Sequence, residues 1–365
     1  MKQLFGAIYE KKKVLVTGHT GFKGSWLSLW LNELGADVSG YALLPDTSPN
    51  HFELLRLPVE SIIGDVRRLD ALDRIMVSLQ PEIVFHLAAQ ALVRKSYKRP
   101  RDTLETNIMG TINVLEACRK TGSVKAVINV TSDKCYENRE WVWGYRENDA
   151  LGGVDPYSVS KSCSELITRA YRKSLFDSGH PGGRRILLAT VRAGNVIGGG
   201  DWSEDRLVPD LIKALANERK AIVRNPNATR PWQHVLEPLS GYLQLGQMLL
   251  QGRASFADAW NFGPKDVVGV TVEEMAERLK NACAGMDYEV KQLEDDFHEA
   301  HSLRLDCSKA GTMLHWRGVW DSAKAVDQTM KWYEDYYENG IVNSLKDIAQ
   351  YVGDAKKDGI EWAKT

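Results

Sequence analysis

The most constraining stretch of this chain is near its start, where an apolar run, KVLVT (13–17), leads straight into Gly18-His19-Thr20-Gly21-Phe22-Lys23-Gly24. Glycines spaced GxxGxxG let the backbone turn tightly and come close to a diphosphate, and a helix beginning there offers free N–H groups and a favourable dipole. A helical pattern with Trp26, Leu27, Trp30, Leu31 and Leu34 on its apolar face follows directly. A glycine motif alone is weak, but the order strand, glycine loop, helix is the context that gives it meaning. Gly18, Thr20, Gly21, Phe22, Lys23 and Gly24 are therefore the candidate residues for cradling a dinucleotide.

The rest of the first half repeats the same alternation. Apolar runs at 37–42, 60–64, 82–87, 125–130 and 186–191 are separated by helical patterns at 68–79, 101–121 and 155–176. Near-continuous apolar strands spaced by helices predict a parallel sheet covered on both faces. With right-handed crossovers, the expected fold class is α/β, a doubly wound Rossmann sheet. Beyond about Arg192 the texture changes to glycine-rich and polar loops, with further helical patterns at 236–251, 271–284 and 322–338 and a short apolar run at 259–263. This predicts a smaller, interleaved C-terminal substrate lobe. The expected division is 1–193 plus about 236–268 for the Rossmann domain, and about 194–235 plus 269–365 for the lobe. Residues 353–365 read as a frayed tail.

Composition narrows the functional classes. Net charge is −1 with both signs mixed along the chain, which excludes a polyanionic partner such as nucleic acid. Five scattered cysteines with no CxxC pair argue against a disulfide framework or a zinc knuckle. His298 and His301 stand three apart but lack a third ligand at a known spacing, so no metal is expected. No apolar run reaches the roughly 18 residues of a membrane span, and the N-terminus has no secretory h-region, so the expected location is the cytoplasm, with no membrane partner.

Two further clusters carry chemistry. Tyr157 and Lys161 are four apart on a predicted helix, hence on one face, and a nearby ammonium would bring a phenol from about 10 towards working pH. Ser132-Asp133-Lys134 directly follows the fifth strand, where a hydroxyl could bind a substrate hydroxyl beside the tyrosine.

Taken together, these elements resemble the extended short-chain dehydrogenase/reductase family. Supporting matches are Asp65-Val66-Arg67, His86-Leu87-Ala88-Ala89, Asn107-Ile108-Met109-Gly110-Thr111, Asn195-Val196-Ile197-Gly198 and Arg230, so the resemblance runs across nearly the whole chain. It implies that Asp65 and Val66 contact adenine, that Leu87, Ala88, Ala89 and Asn107 line the cofactor, and that Asn195 and Arg230 meet the substrate diphosphate. His301 and Arg304 would stand in for an arginine that relatives place in that region. The cofactor is expected to be NAD: Asp46 stands near the ribose position, and no arginine follows the second strand to take a 2′-phosphate.

Epimerases, reductases and dehydratases of the family share the Tyr–Lys pair, so the choice falls to residues 132–134. Sugar 4,6-dehydratases carry a hydroxyl, an acid and usually a glutamate there. TGHTGFKGSWLSLWL and TSDKCYEN resemble their CDP-linked branch, which shares the lysine. The implied partner is a nucleotide-diphosphate hexose, CDP-glucose, and the implied product is a 4-keto-6-deoxy sugar for deoxysugar and surface-polysaccharide synthesis. In that scheme Tyr157 removes the C4 hydroxyl proton as hydride leaves C4, Ser132 positions that hydroxyl, and Lys161 holds the cofactor ribose. Asp133 protonates the departing C6 hydroxyl, and hydride returns to C6. Lys134 could act as base, acid or electrostatic support. Alternatives are another nucleotide-hexose 4,6-dehydratase, a 4-epimerase, or a redox-silent NAD-binding regulator. Helices 101–121 and 155–176 resemble those that pair relatives, which implies a homodimer or homotetramer.

Overall fold

The computed structural model describes residues 1–176, 185–265, 269–291 and 301–364. Its strands are β1 (Lys13–Thr17), β2 (Asp37–Ala42), β3 (Glu60–Ile63), β4 (Ile83–His86), β5 (Ala126–Val130), β6 (Leu187–Ala193), β7 (Val196–Ile197), β8 (Ala221–Val223), β9 (Thr229–Arg230), β10 (Gln233–His234), β11 (Ala259–Phe262), β12 (Val270–Thr271) and β13 (Tyr288–Val290). The helices are α1 (Phe22–Glu33), α2 (His51–Leu55), α3 (Leu69–Leu79), α4 (Val93–Lys98), α5 (Pro100–Leu104), α6 (Gly110–Lys120), α7 (Pro156–Ser174), α8 (Leu207–Ala216), α9 (Leu236–Leu250), α10 (Val272–Ala282), α11 (Ser308–Met313), α12 (Ser322–Asn339) and α13 (Ser344–Lys357).

Seven strands form one sheet in the order β11-β6-β5-β4-β1-β2-β3, every pairing parallel. This is the expected Rossmann sheet with an added edge strand, and the burial of all four or five residues of β4 and β5 explains why they read as unbroken apolar runs. The order reverses between β1 and β4, and the crevice that ligands use in such sheets opens at the carboxyl ends beside that reversal. One apolar cluster, containing Leu15, Val84, Val114 and Leu188, lies under α3 and α6. A larger one covers the opposite face from Trp26 and Trp30 through α9 and continues to Trp202, Trp232, Trp320 and Trp332.

Beyond the main sheet the strands form small two-stranded pieces: β7 pairs with β10, β9 with β12, and β8 with β13. Two departures from the sequence reading stand out. The stretch 101–121 is not one regular helix, because residues Glu105–Met109 form a π turn between α5 and α6. The C-terminus is not frayed. Trp362 is 3% exposed, stacks on Phe5 at 5.1 Å and packs edge-on against Trp30 at 5.7 Å, so apolar burial anchors what reads as a polar tail.

Candidate active site

The glycine loop leaves β1 in a turn that side chains would block. Gly18 has φ +77°, and a Cβ there would lie 2.7 Å from the Ala88 nitrogen; a Cβ on Gly24 would lie 2.0 Å from the Gly18 carbonyl oxygen. Loop, helix and the end of β4 therefore touch backbone to backbone. At Gly21, the N-cap of α1, no side chain caps the helix and no acidic residue sits in its first turn, so the N–H groups there are open to an anion. This chemistry fits a dinucleotide diphosphate. Thr20 Oγ1 donates to the Leu43 carbonyl (2.9 Å), tying the loop to the end of β2. Asp65 is gripped by Arg67 through Nη2 (2.6 Å) and Nε (2.9 Å), which holds its carboxyl below the usual carboxylate range against the opposing effect of burial. Asp46 pairs with Lys95 at 3.3 Å.

A cleft of about 520 Å³ runs from this cradle across the strand ends into the second lobe. The six glycine-loop candidates, Asp65, Val66, Leu87, Ala88, Ala89, Ser132, Asp133, Lys134, Tyr157, Lys161, Asn195 and Arg230 all line it. Asp155 caps α7 by accepting from Ser158 N (2.9 Å), and Pro156 starts the helix, which fixes where Tyr157 and Lys161 emerge. Lys161 Nζ donates to the Val130 carbonyl at 3.2 Å, and burial brings its amine down to about 8. Burial also dominates at Tyr157, pushing the phenol up to about 12 while a hydrogen bond with Ser132 pulls it back. Desolvation of the phenolate outweighs the lowering effects of Ser132 and Arg206, so the phenol stays above its free value. Ser132 Oγ accepts from Lys134 N (3.2 Å) and donates to Asp133 Oδ1 (2.9 Å). Asp133 is 4% exposed, and burial raises its carboxyl above the usual range against the pull of Lys134, Ser132 and Arg230. Lys23, half-buried, reaches 3.5 Å from the Tyr242 hydroxyl; burial and then the neighbouring Arg206 and Lys161 lower its amine to about 7.

Three candidates are not brought to the cleft. Asn107, on the π turn, uses its side chain on Gln90: Oδ1 accepts from Gln90 N (2.8 Å), and Nδ2 donates to Gln90 O (3.0 Å) and Ser160 Oγ (2.8 Å). It braces the loop after β4 against α7 instead of lining the cavity. His301 is exposed and engages through its backbone, its carbonyl accepting from Thr229 N at 2.8 Å. Arg304 passes behind Gly269, its Nε without a hydrogen-bond partner, and its carbonyl accepts from Tyr145 N (2.9 Å). Neither residue lines the cleft; their segment pairs with backbone at Thr229 and Tyr145. His298 lies outside the described residues. Among the described residues no group of three His, Cys, Asp or Glu could hold a metal ion, and no helix is long and apolar enough to cross a membrane.

Sequence reasoning missed the cleft's far wall. There Asp205 bridges Arg94 (3.5 Å) and Arg224 (2.6 Å), and Arg206 pairs with Asp201 at 3.0 Å. These residues come from three separate stretches with no motif, so nothing in the sequence marks them.

The chain matches the model of the NAD dependent epimerase/dehydratase family over residues 14–256. It is 49% identical to CDP-glucose 4,6-dehydratase of Salmonella typhimurium, covering 94% of this chain and 97% of the relative. UDP-glucose 4-epimerase of Mycolicibacterium smegmatis is 26% identical over 88% of this chain and 99% of that protein. Among solved structures, dTDP-glucose 4,6-dehydratase of Streptomyces venezuelae with NAD bound superimposes with a TM-score of 0.75 at 24% identity, covering 89% of this chain and 97% of that one. UDP-glucose 4-epimerase of Thermotoga maritima does so with 0.75 at 23%, covering 89% and 99%. At such identities the two structures speak for the fold.

Proposed function

This chain belongs to the NAD dependent epimerase/dehydratase family, and from that premise we propose that it is an NAD-dependent hydro-lyase converting CDP-D-glucose to CDP-4-keto-6-deoxy-D-glucose. The observation that carries this reading is the buried Asp133 between Ser132 and Lys134, in the same cleft as Tyr157 and Lys161: an epimerase needs only the redox pair, whereas loss of water also needs an acid. The 49% identity to a CDP-glucose 4,6-dehydratase supports the same substrate.

In this reading NAD is held by the glycine loop, Asp65, Val66 and Leu87–Ala89. Bound there, it supplies a hydride acceptor that later gives the hydride back. Lys161 holds the cofactor ribose beside Tyr157, and Tyr157 accepts the C4 hydroxyl proton. Ser132 positions that hydroxyl. Burial raises the Asp133 carboxyl above its usual range, and in this reading that carboxyl delivers the proton to the leaving C6 hydroxyl. Lys134 faces the same elimination, as base for the C5 proton or as electrostatic support for the enolate. Arg230 and Asn195 hold the diphosphate, the guanidinium by bidentate pairing.

We divide the chain into a Rossmann unit, 1–193 with 236–268, and a nucleotide-sugar lobe, 194–235 with 269–365. We also propose a cytoplasmic homodimer or homotetramer formed through α5–α6 and α7, whose outer faces leave Met109, Val159 and Leu166 exposed. The test is turnover of CDP-, dTDP-, GDP- and UDP-glucose side by side, with and without added NAD. A 4-keto-6-deoxy product absorbs strongly after alkali, and the expected result is that CDP-glucose gives it fastest. An epimer from UDP-glucose with no such absorbance would overturn the reading.

A further inference from the structure

The catalytic segment Thr131–Tyr136 is fastened at both ends to one buried ion pair. Glu165 and Arg192 are each 3% exposed and meet at 2.7 Å. The Glu165 carboxylate accepts four hydrogen bonds: from Thr131 Oγ1 (2.5 Å), Thr190 Oγ1 (2.8 Å), Arg192 Nε (2.9 Å) and Arg192 Nη2 (2.7 Å). Arg192 Nη1 in turn donates to the Tyr136 hydroxyl (2.7 Å), with the guanidinium 4.8 Å from the centre of that ring, and Tyr136 donates on to Asn261 Oδ1 (2.7 Å). Thr131 and Tyr136 flank Ser132, Asp133 and Lys134. Glu165 sits on α7 one turn beyond Lys161 and two beyond Tyr157. One carboxylate thus joins the helix bearing the redox pair to the segment bearing the acid.

Stability alone does not account for this arrangement. Taking both ions out of water costs several kcal/mol, and an apolar pair of the same volume commonly does as well or better for the folded state. What a fully satisfied polar network adds is a single register. We propose that Glu165 and Arg192 are positioning residues that hold Ser132, Asp133 and Lys134 in register with Tyr157 and Lys161, which rests on the dehydratase reading above. Elimination needs the acid and the redox pair aligned to a fraction of an ångström, and a displacement of about 1 Å costs on the order of a hundredfold.

Glu165 has a second effect that packing would not have. Lys161 is faced by Cys135 from the catalytic segment, by Glu165 from its own helix, by Lys23 from α1 and by His86 from β4, and the Glu165 charge favours its ammonium against burial. Replacing that carboxylate leaves the Arg192 cation unpaired and removes the support, so Lys161 gives up its proton at lower pH.

The experiment compares Thr131→Val, Tyr136→Phe, Glu165→Gln and Glu165→Asp by kcat, KM and pH profile with CDP-glucose, alongside Tyr157→Phe. Thr131→Val and Tyr136→Phe each remove one hydroxyl from the clamp and are expected to lower kcat by about tenfold, with KM nearly unchanged and melting close to wild type. Glu165→Gln is expected to lower kcat further and move the high-pH limb to lower pH, and Glu165→Asp to restore the limb but not the full rate. Wild-type kcat in both hydroxyl variants would overturn the proposal. So would a Glu165→Gln enzyme whose activity falls only with its folded fraction and whose limb stays in place; if that variant does not fold, the two hydroxyl variants decide. An active Tyr157→Phe would sink the dehydratase reading instead, which separates the two failures.

Discussion

The two walls of the cleft are built differently. The wall on the parallel sheet takes its residues from strand ends and helix starts: Gly18 after β1, Leu87 after β4, Ser132 after β5, Tyr157 in the first turn of α7. Backbone contacts as close as those at Gly18 and Gly24, and a buried ion pair with all carboxylate positions used, leave it one geometry. The facing wall is made of strands two or three residues long, the loop before α8 and the start of that helix, with Asp205, whose side chain is 27% exposed, ion-paired to Arg224 and across the cleft to Arg94 of α4. Coulomb attraction is strong and directional in the first setting and screened in the second. The proposed function accordingly assigns chemistry to the first wall and substrate choice to the second.

The comparison can be broken most sharply at Tyr157. Tyr157→Phe is expected to cut turnover by about a thousandfold with little change in KM, read by steady-state kinetics; a large KM effect with kcat retained would place chemistry elsewhere.

Acid is the next lever, because it acts on the rigid wall and on the seam between the walls together. His86 in the sheet wall, and His51 and His234 at the seam, are buried, and burial holds each imidazole down at about 3 against a free value of 6.5. Below 6.5 the unfolded chain takes up protons that these rings refuse, so they subtract stability progressively as pH falls to about 3. Glu237 and Asp347, raised by burial from 4.5 and 3.8 to about 7, act in the opposite sense: between those free values and about 7 the folded chain holds protons that the unfolded chain releases. Urea unfolding midpoints should decline gently from about pH 6.5 to 5 and more steeply below about pH 4.5, in one transition by fluorescence and circular dichroism alike. Two separated transitions would mean that the walls unfold independently.

Asp205→Asn should raise the KM for CDP-glucose by about threefold to fivefold while leaving kcat nearly unchanged, since partly exposed ion pairs are worth about 1 kcal/mol. The smallest effect is expected far from both walls. Gly353 lies inside α13 with open space where a Cβ would go, so Gly353→Ala should raise stability by about 0.5–1 kcal/mol, measured by urea melts, with kinetics unchanged.

The same contrast explains what could be read before the structure. The sheet wall was legible because Gly18, Leu87 and Ser132 stand within two residues of an apolar strand's end and Tyr157 and Lys161 share a helix face, and periodicity locates such elements well. Asn107 shows the limit: its place near the cofactor loop was readable, but a π turn aims its amide at Gln90. The second lobe offered no period, since two-residue strands have none, so periodicity could not locate His301 and Arg304 relative to the cleft. Glu165 and Arg192 left no trace either. Each lies within an element that was recognised, but the bond between them spans 27 residues and depends on how α7 crosses β6.

The edge strand β11 carries one more consequence. It joins the sheet beside β6 only after the chain has left for the second lobe and come back through α9. While the protein is being made, the buried, apolar β6 therefore presents an open row of backbone donors and acceptors until residue 262 has left the ribosome. A chain cut anywhere between the end of β6 and that point would keep its glycine cradle and its tyrosine and still be inclined to self-associate along that edge.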